Sequence, residues 1–314
     1  MPSIWADSAA SLEGNIEEID NRLRTPTPHE LALHNRNCIY CCRPLTRATR
    51  TREHVIGRNF VPRETLDINL VAWACDQCNN DKSDLEDDIS LISMLPAIAQ
   101  FLPSMDERSA EIARKLKSAF SRRTGKLVRD SQETVTIEGQ IFPGLTATFN
   151  MVTNPQTDPE RVGRLALYHI GAFHYFTTYR KETRLGGRIP GAFAVAGDHR
   201  RLDWGNERAR HFMNVTTPWD ARFVLKGKEA FFKVMIRRRL PDMLWSWAIE
   251  WNRSYRVFGF YGNEKLVEEA LGQLPTLKSN SIVEEPNRYI RMREEVPLPE
   301  ADDILFEHEI GLVV

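Results

Sequence analysis

The sequence predicts an α+β protein built in two parts. A small N-terminal unit with flanking helices is expected over residues 1–129, and an α+β accessory domain with an antiparallel sheet over residues 130–314. Three observations predict this. All five cysteines fall between Cys38 and Cys78, which marks out a compact, chemically distinct unit. Apolar residues recur at helical spacing in several segments, and beyond residue 133 others alternate with a period of two. A chain of 314 residues is long enough for two domains of ordinary size.

Composition narrows the class. With 42% hydrophobic and 27% charged residues the chain can bury a sizeable core. No apolar run approaches the roughly 20 residues that span a bilayer. The first residues lack the basic start and apolar centre of a secretory signal, so a cytoplasmic location is expected. A net charge of −1 excludes attraction of the whole chain to nucleic acid, so such a partner must be met by local basic patches.

Taken in order, residues 8–34 read as helical, with Ser11 as cap, Leu12, Ile16, Ile19 and Leu23 on one face, and a break at Pro26 and Pro28. The cysteine-bounded unit follows. An apolar helical stretch from Ile89 to Phe101 ends before Pro103, and a second helix is expected from Asp106 to Arg123, stopped by Gly125. Thr134–Ile137 and Leu145–Phe149 alternate as strands around Pro143-Gly144. A helix from Asp158 to Tyr179 carries Val162, Leu165, His169, Ala172, Phe173 and Phe176 on one face. His169 and His174 there are expected in packing roles. Residues 184–205, rich in glycine and arginine, read as loop, and Gly197-Asp198-His199 as a turn. Strands are expected at Ala230–Ile236, Met243–Trp251 and Tyr255–Tyr261. The middle one should be half-buried, with Trp245, Trp247, Ile249 and Trp251 on one face. A short helix over Glu264–Leu274 follows.

The cysteines carry the clearest chemistry. Cys38-Ile39-Tyr40-Cys41 and Cys75-Asp76-Gln77-Cys78 are two C-x2-C knuckles. Each lets two thiolates reach one tetrahedral Zn²⁺ at ~2.3 Å. Four thiolates leave no open position, so this zinc is structural. Cys42 could replace Cys41 through C-x3-C spacing; Cys41 is preferred, with Cys42 as a small buried hydrophobe. Between the knuckles, Thr51-Arg52-Glu53-His54-Val55-Ile56 sets an acid beside a histidine. Asn69-Leu70-Val71-Ala72-Trp73-Ala74 then leads to the second knuckle, and a helix begins at Cys78-Asn79-Asn80-Asp81-Lys82.

The order C-x2-C, E-H-V/I, N-L, C-x2-C-N, K-S over residues 37–88 resembles the HNH endonuclease family, whose core is the ββα-metal fold in its zinc-knuckle form. The resemblance implies an endonuclease that hydrolyses nucleic-acid phosphodiester bonds, DNA foremost. His54 would be the general base that takes a proton from the attacking water. Glu53 and Asn79 would ligate a catalytic divalent ion, and Asn69 would orient the loop that carries the base. Oxygen ligands imply Mg²⁺ or Mn²⁺. Strand alternation sets Glu53 and His54 on opposite faces, so a bulge or loop would have to bring both to one ion. Gly57-Arg58 follows Ile56 where many members have proline. Phage defence or mobile-element biology is the context that the resemblance implies.

Six arginines and one acid lie between Arg43 and Arg63, and Arg50, Arg52, Arg58 and Lys82 are expected to contact phosphates. The basic segment 106–129 is a second candidate. Asp84, Glu86, Asp87 and Asp88 read as a solvated helix face. Trp245, Trp247 and Trp251 could stack on bases, though packing within a sheet is the commoner use of such a stripe. The main alternative function is a zinc-dependent module that binds nucleic acid without cutting it. Residues 130–314 are expected to serve recognition, regulation or homo-oligomerisation, or to hold a regulatory protein partner.

Overall fold

The computed structural model describes residues 4–5, 31–58, 60–61, 69–94, 117–121, 123–131, 133–142, 144–153, 159–227, 230–278, 280–285 and 288–308. Residues 8–30 of the helix expected over 8–34, most of that over 106–123 and the basic residue Arg63 lie outside them; residues 31–34 are not helical but bridge to β-structure, with Leu33 N–H donating to the Val71 carbonyl at 2.8 Å. Among the described residues the chain is mixed α and β, with four α-helices and one large antiparallel sheet. No helix among them is long and apolar enough to cross a membrane.

The N-terminal unit begins after a short strand β1 (Ile4–Trp5). Strand β2 (Arg50–His54) pairs antiparallel with β3 (Val71–Cys75), and helix α1 (Asp76–Ser93) follows directly. Cys75 is extended and ends the strand, and Asp76 in the first turn suits the positive end of the helix. Leu85, Ile89 and Ile92 recur at helical spacing and face the core. The helix ends at Ser93 with Met94 as its C-cap, and the rest of the stretch expected to Phe101 lies outside the described residues. Residues 120–127 then form not helix but a small hairpin, β4 (Phe120–Ser121) with β5 (Lys126–Leu127), turned at Gly125 in the left-handed region. The long hairpin β6 (Glu133–Phe142) with β7 (Leu145–Thr153) extends both expected strands.

Helix α2 (Pro159–Thr178) starts at proline, whose missing N–H costs nothing at a first helical position. Beyond it β8 (Ala192–Arg200) corrects the expected loop over 184–205. Its Ala-Phe-Ala-Val-Ala run is apolar on both sides, as a strand covered on both faces requires, and shows no alternation. Gly197-Asp198-His199 is therefore part of a strand, not a turn. Helix α3 (Glu207–Thr216), capped by Asn206, and β9 (Asp220–Lys226) follow; neither was anticipated. Strands β10 (Phe232–Arg239), β11 (Leu244–Trp251) and β12 (Tyr255–Gly262) lie where three were expected. Helix α4 (Glu264–Gly272) and the hairpin β13 (Asn280–Glu285) with β14 (Arg288–Met292) complete the elements.

The large sheet has the order β1-β8-β12-β11-β10-β9. One face packs Phe193, Phe223, Trp245, Trp247, Ile249 and Trp251 in the same cluster as α2. The other face, with Ala194, Met235, Ala248, Phe258 and Phe260, is covered by α3 and α4. All eight residues of β11 are consequently buried, which corrects the expectation of a half-buried strand. The three tryptophans are at most 2% exposed and are not available to stack on bases.

The N-terminal unit is not set apart from this body. Leu85, Ile89 and Ile92 of α1 share one core cluster with Val162, Leu165 and Trp251, so the core is continuous across the expected division at 129. Asn252, beyond β11, donates to the carbonyl of Phe60 (3.1 Å) and to Ser93 Oγ (2.8 Å), and Ser254 Oγ donates to the Ser93 carbonyl. These bonds tie the end of α1 to the sheet.

Candidate metal centre and the histidine face beside it

The thiols of Cys38, Cys41, Cys75 and Cys78 lie within 4.8 Å of one another. Cys41 Sγ and Cys75 Sγ are 3.8 Å apart. A tetrahedron of sulfurs about an ion at ~2.3 Å has edges of about 3.8 Å, so the donor set fits zinc in size and in chemistry. The knuckle turn is closed by Cys42 N–H donating to the Cys38 carbonyl (2.9 Å) and Cys38 N–H to that of Arg43 (2.8 Å). Cys38 Sγ also accepts from the backbone N–H of Cys75 (3.3 Å) and Tyr40 (3.5 Å), contacts that favour a thiolate. Hydrogen bonds among the crowded thiols let Cys41 ionise first and push Cys38 up to about 12; a divalent cation removes that conflict. Cys42 lies outside the group. Its backbone has φ 56° and its thiol faces the Gly186 carbonyl at 4.0 Å, which resolves the choice between it and Cys41.

Strand β2 divides its side chains by alternation. Glu53, opposite Ala72, points inward and is 4% exposed. Its Oε1 accepts from Lys82 Nζ at 2.8 Å and from Tyr40 OH at 2.9 Å. Lys82 also meets Glu86 at 2.8 Å and donates to the His54 carbonyl at 3.3 Å. Glu86 in turn accepts from Gly57 N–H (2.9 Å) and meets His169 Nε2 of α2 at 3.1 Å. Burial alone would lower Lys82, but Glu86 and Glu53 outweigh it and hold the ammonium above its ordinary range. Burial raises Glu53, whereas in Glu86 the pull of Lys82 and His169 overcomes burial and lowers it.

Three expectations are corrected here. Lys82 is 1% exposed and cannot contact a phosphate in this conformation. Glu53 does not fit as a ligand of a catalytic ion, because its carboxylate is enclosed and already paired with an ammonium. The acid run of α1 is only partly solvated: Asp87 is exposed and Asp84 half-buried, whereas Glu86 is 8% and Asp88 1% exposed. Asp88 pairs with Arg161 at 2.5 Å and accepts from Ser121 Oγ at 3.1 Å. Tyr40, Glu86 and His169 were missed as partners of this network. His169 could have been found only by knowing that α2 packs on α1, because 83 residues separate it from Glu86.

The outward face of β2 and β3 carries Arg50, Arg52 and His54. Arg50 covers the ring of Trp73 at 4.4 Å from its centroid. His54 is half-buried at the end of β2, and Arg58 donates to its Nε2 from Nη2 at 3.2 Å. Burial first, then the charges of Arg58 and Arg52, lower its pKa below the usual histidine value. The imidazole is therefore neutral near pH 7. Arg50, Arg52 and Arg58 are all exposed, and Arg58 and Arg52 are close enough to act on the imidazole.

Asn69 holds the chain just beyond His54. Its Oδ1 accepts from Ile56 N–H at 3.1 Å and its Nδ2 donates to the Ile56 carbonyl at 2.6 Å. At Gly57 a Cβ would meet Glu86 Oε2 at 2.4 Å and displace that carboxylate from its partners, and proline would also remove the N–H that Glu86 accepts. Asn79, in the first turn of α1, is half-buried, and among the described residues no hydrogen bond joins it to His54 or Glu53.

In the distal sheet, His174 donates or accepts at Nδ1 with Tyr261 OH (2.9 Å), and burial pulls its pKa down to about 4. His199 meets Asp203 at 3.2 Å, and Asp203 is paired with Arg293. Comparison of the chain with protein-family models, with curated proteins and with solved structures finds no match.

Proposed function

We propose that this protein hydrolyses phosphodiester bonds in nucleic acid, most readily DNA, with His54 as the general base. The observation that carries the reading is the placement of His54. A neutral, half-buried imidazole stands among exposed arginines, on a hairpin-and-helix unit clamped by four thiols, with the following loop held at both backbone groups of Ile56 by Asn69. A nucleic-acid phosphate offers Arg58 a stronger acceptor than the imidazole does. Drawing the guanidinium to the phosphate frees His54 Nε2 to take a proton from water. Arg50 and Arg52 hold the strand beside it.

Mg²⁺ or Mn²⁺ belongs to this reading only through the family resemblance. The enclosed Glu53 does not fit such an ion. That same feature favours a second reading, in which the zinc module binds nucleic acid without cutting it.

Plasmid cleavage by the zinc-loaded chain, with and without added Mg²⁺ or Mn²⁺, separates the two. The parent is expected to cut, His54→Ala to lose on the order of 10²-fold or more, and Asn69→Ala to fall in kcat while still binding. The acid limb of the rate profile should lie below the ~6.5 of free histidine. Equal cleavage by parent and His54→Ala would remove His54 from the mechanism; a folded parent that binds DNA and cuts none would leave the binding module.

A further inference from the structure

The sequence between α2 and β8 (Tyr-Arg-Lys-Glu-Thr-Arg-Leu-Gly-Gly-Arg, residues 179–188) has no part in the site described so far. In the structure it is fastened onto the zinc knuckle. Arg36 N–H donates to the Arg184 carbonyl (3.0 Å), and Arg184 Nε donates to the His34 carbonyl (2.7 Å). The Gly186 carbonyl faces Asn37 Nδ2 at 3.5 Å and the Cys42 thiol at 4.0 Å. Tyr175 OH donates to Asn37 Oδ1 from the end of α2. The loop is also closed on itself, by Arg184 N–H to the Arg180 carbonyl (2.8 Å) and Gly187 N–H to Thr178 Oγ1 (2.8 Å). At Gly186 a Cβ would meet the Tyr175 carbonyl at 2.6 Å, so this close seating needs glycine.

The seating joins two basic segments. Residues 31–52 hold five arginines and no acid, and residues 180–188 hold Arg180, Lys181, Arg184 and Arg188 against one acid, Glu182. Arg36, Arg43, Arg180 and Lys181 are exposed, and none is ion-paired among the described residues. In a chain of net charge −1, the two segments together hold nine Lys and Arg residues and one acid. Guanidinium and ammonium groups dominate this surface: Trp73 is covered by Arg50, Tyr40 packs edge-on against Tyr168 at 5.0 Å, and Tyr179 lies against Tyr175. Phosphate-directed charge without a stacking platform suits the backbone of a duplex better than a single strand.

We propose that the 180–188 loop and the knuckle segment 36–52 form one surface that binds the phosphate backbone of a nucleic-acid duplex. The proposal rests on the nucleic-acid reading above but not on cleavage. It gives the C-terminal half of the chain a direct part in holding substrate.

The test is fluorescence anisotropy of a labelled DNA duplex with the full zinc-loaded chain, titrated at several salt concentrations. The loop variant is Arg180→Gln with Lys181→Gln; the control is Lys265→Gln with Lys278→Gln, two exposed lysines elsewhere. Each lost phosphate contact lowers the slope of log K against log salt by ~0.9, so the loop variant should lose roughly 2 units of slope and bind at least about fivefold more weakly at low salt. The control should match the parent. Unchanged slope and affinity in a folded loop variant overturn the proposal, even if the parent cuts DNA. A parent that binds no duplex at low salt, or that a single strand of equal length displaces at equal concentration, also overturns it. A parent that binds through the loop but cuts nothing supports it while the nuclease reading falls.

Discussion

Lys82 is where structure and resemblance part most sharply, and its removal is the most informative perturbation. Its ammonium is 2.8 Å from both Glu53 and Glu86, within a site where the side chain is 2% exposed. In Lys82→Met the two carboxylates stay buried without their cation. Breaking a buried ion pair in this way costs ~3–5 kcal/mol. Urea unfolding of the zinc-loaded chain at pH 7.5 should show that loss as a lower midpoint at unchanged m-value. The pH response fixes the cause. In the parent, Glu86 is lowered on folding, so its contribution is present above the unfolded carboxylate value of ~4.3 and is lost as pH falls through the folded one. In the variant the stranded carboxylates titrate above the unfolded value, and the folded state takes up protons. The deficit should therefore shrink as pH falls from 7.5 towards 5.5. Adding Glu86→Gln to Lys82→Met should recover part of it at neutral pH. If Lys82→Met unfolds within ~0.5 kcal/mol of the parent, the size expected of an ordinary surface change, and instead loses DNA affinity, the lysine is a phosphate contact and the buried triad reasoning fails.

The remaining predictions concern zinc and acid stability. Metal analysis should find one zinc per chain, retained by Cys42→Ser and lost by Cys41→Ser or Cys75→Ser, with chelation unfolding the 37–93 region as followed by hydrogen exchange; zinc lost from Cys42→Ser and kept by Cys41→Ser would reverse the ligand assignment. Burial pulls both His174 and His199 down to about 4, so the unfolded chain binds protons that the folded one does not. Stability should thus fall as pH drops from about 6.5 to about 4, with each histidine adding up to ~1.4 kcal/mol per pH unit. His174→Gln should flatten that slope, and an unchanged slope would show that its imidazole titrates normally in the fold.

The local features were legible because their chemistry is local. The knuckles each need two thiols three positions apart and a tight turn, and the helix expected from Cys78 begins two residues earlier, at Asp76. Asn69 was singled out only through the family resemblance; its bonds to both backbone groups of Ile56 join residues thirteen positions apart. Strands β10, β11 and β12 stood out by their apolar content, whereas β8 did not. Its alanines carry no alternation because helices cover both faces of the sheet, a property of the three layers together rather than of residues 192–200. For the same reason the tryptophans of β11 looked like one side of an open sheet when both sides are closed.

What the sequence determined by itself is the four-thiol centre and the hairpin-and-helix order around it, since ligand type and spacing along a few residues suffice to specify both. What only the tertiary structure decided is the environment of each charge. Strand parity turned Glu53 inward onto Lys82, and α2 brought His169 to Glu86 across 83 positions. The chain beyond α2 laid a basic loop on the knuckle, with Asn37 and Gly186 149 positions apart. A charged side chain written in a sequence has no dielectric and no partner until the fold supplies them, and those two quantities separate a phosphate contact from a buried ion pair.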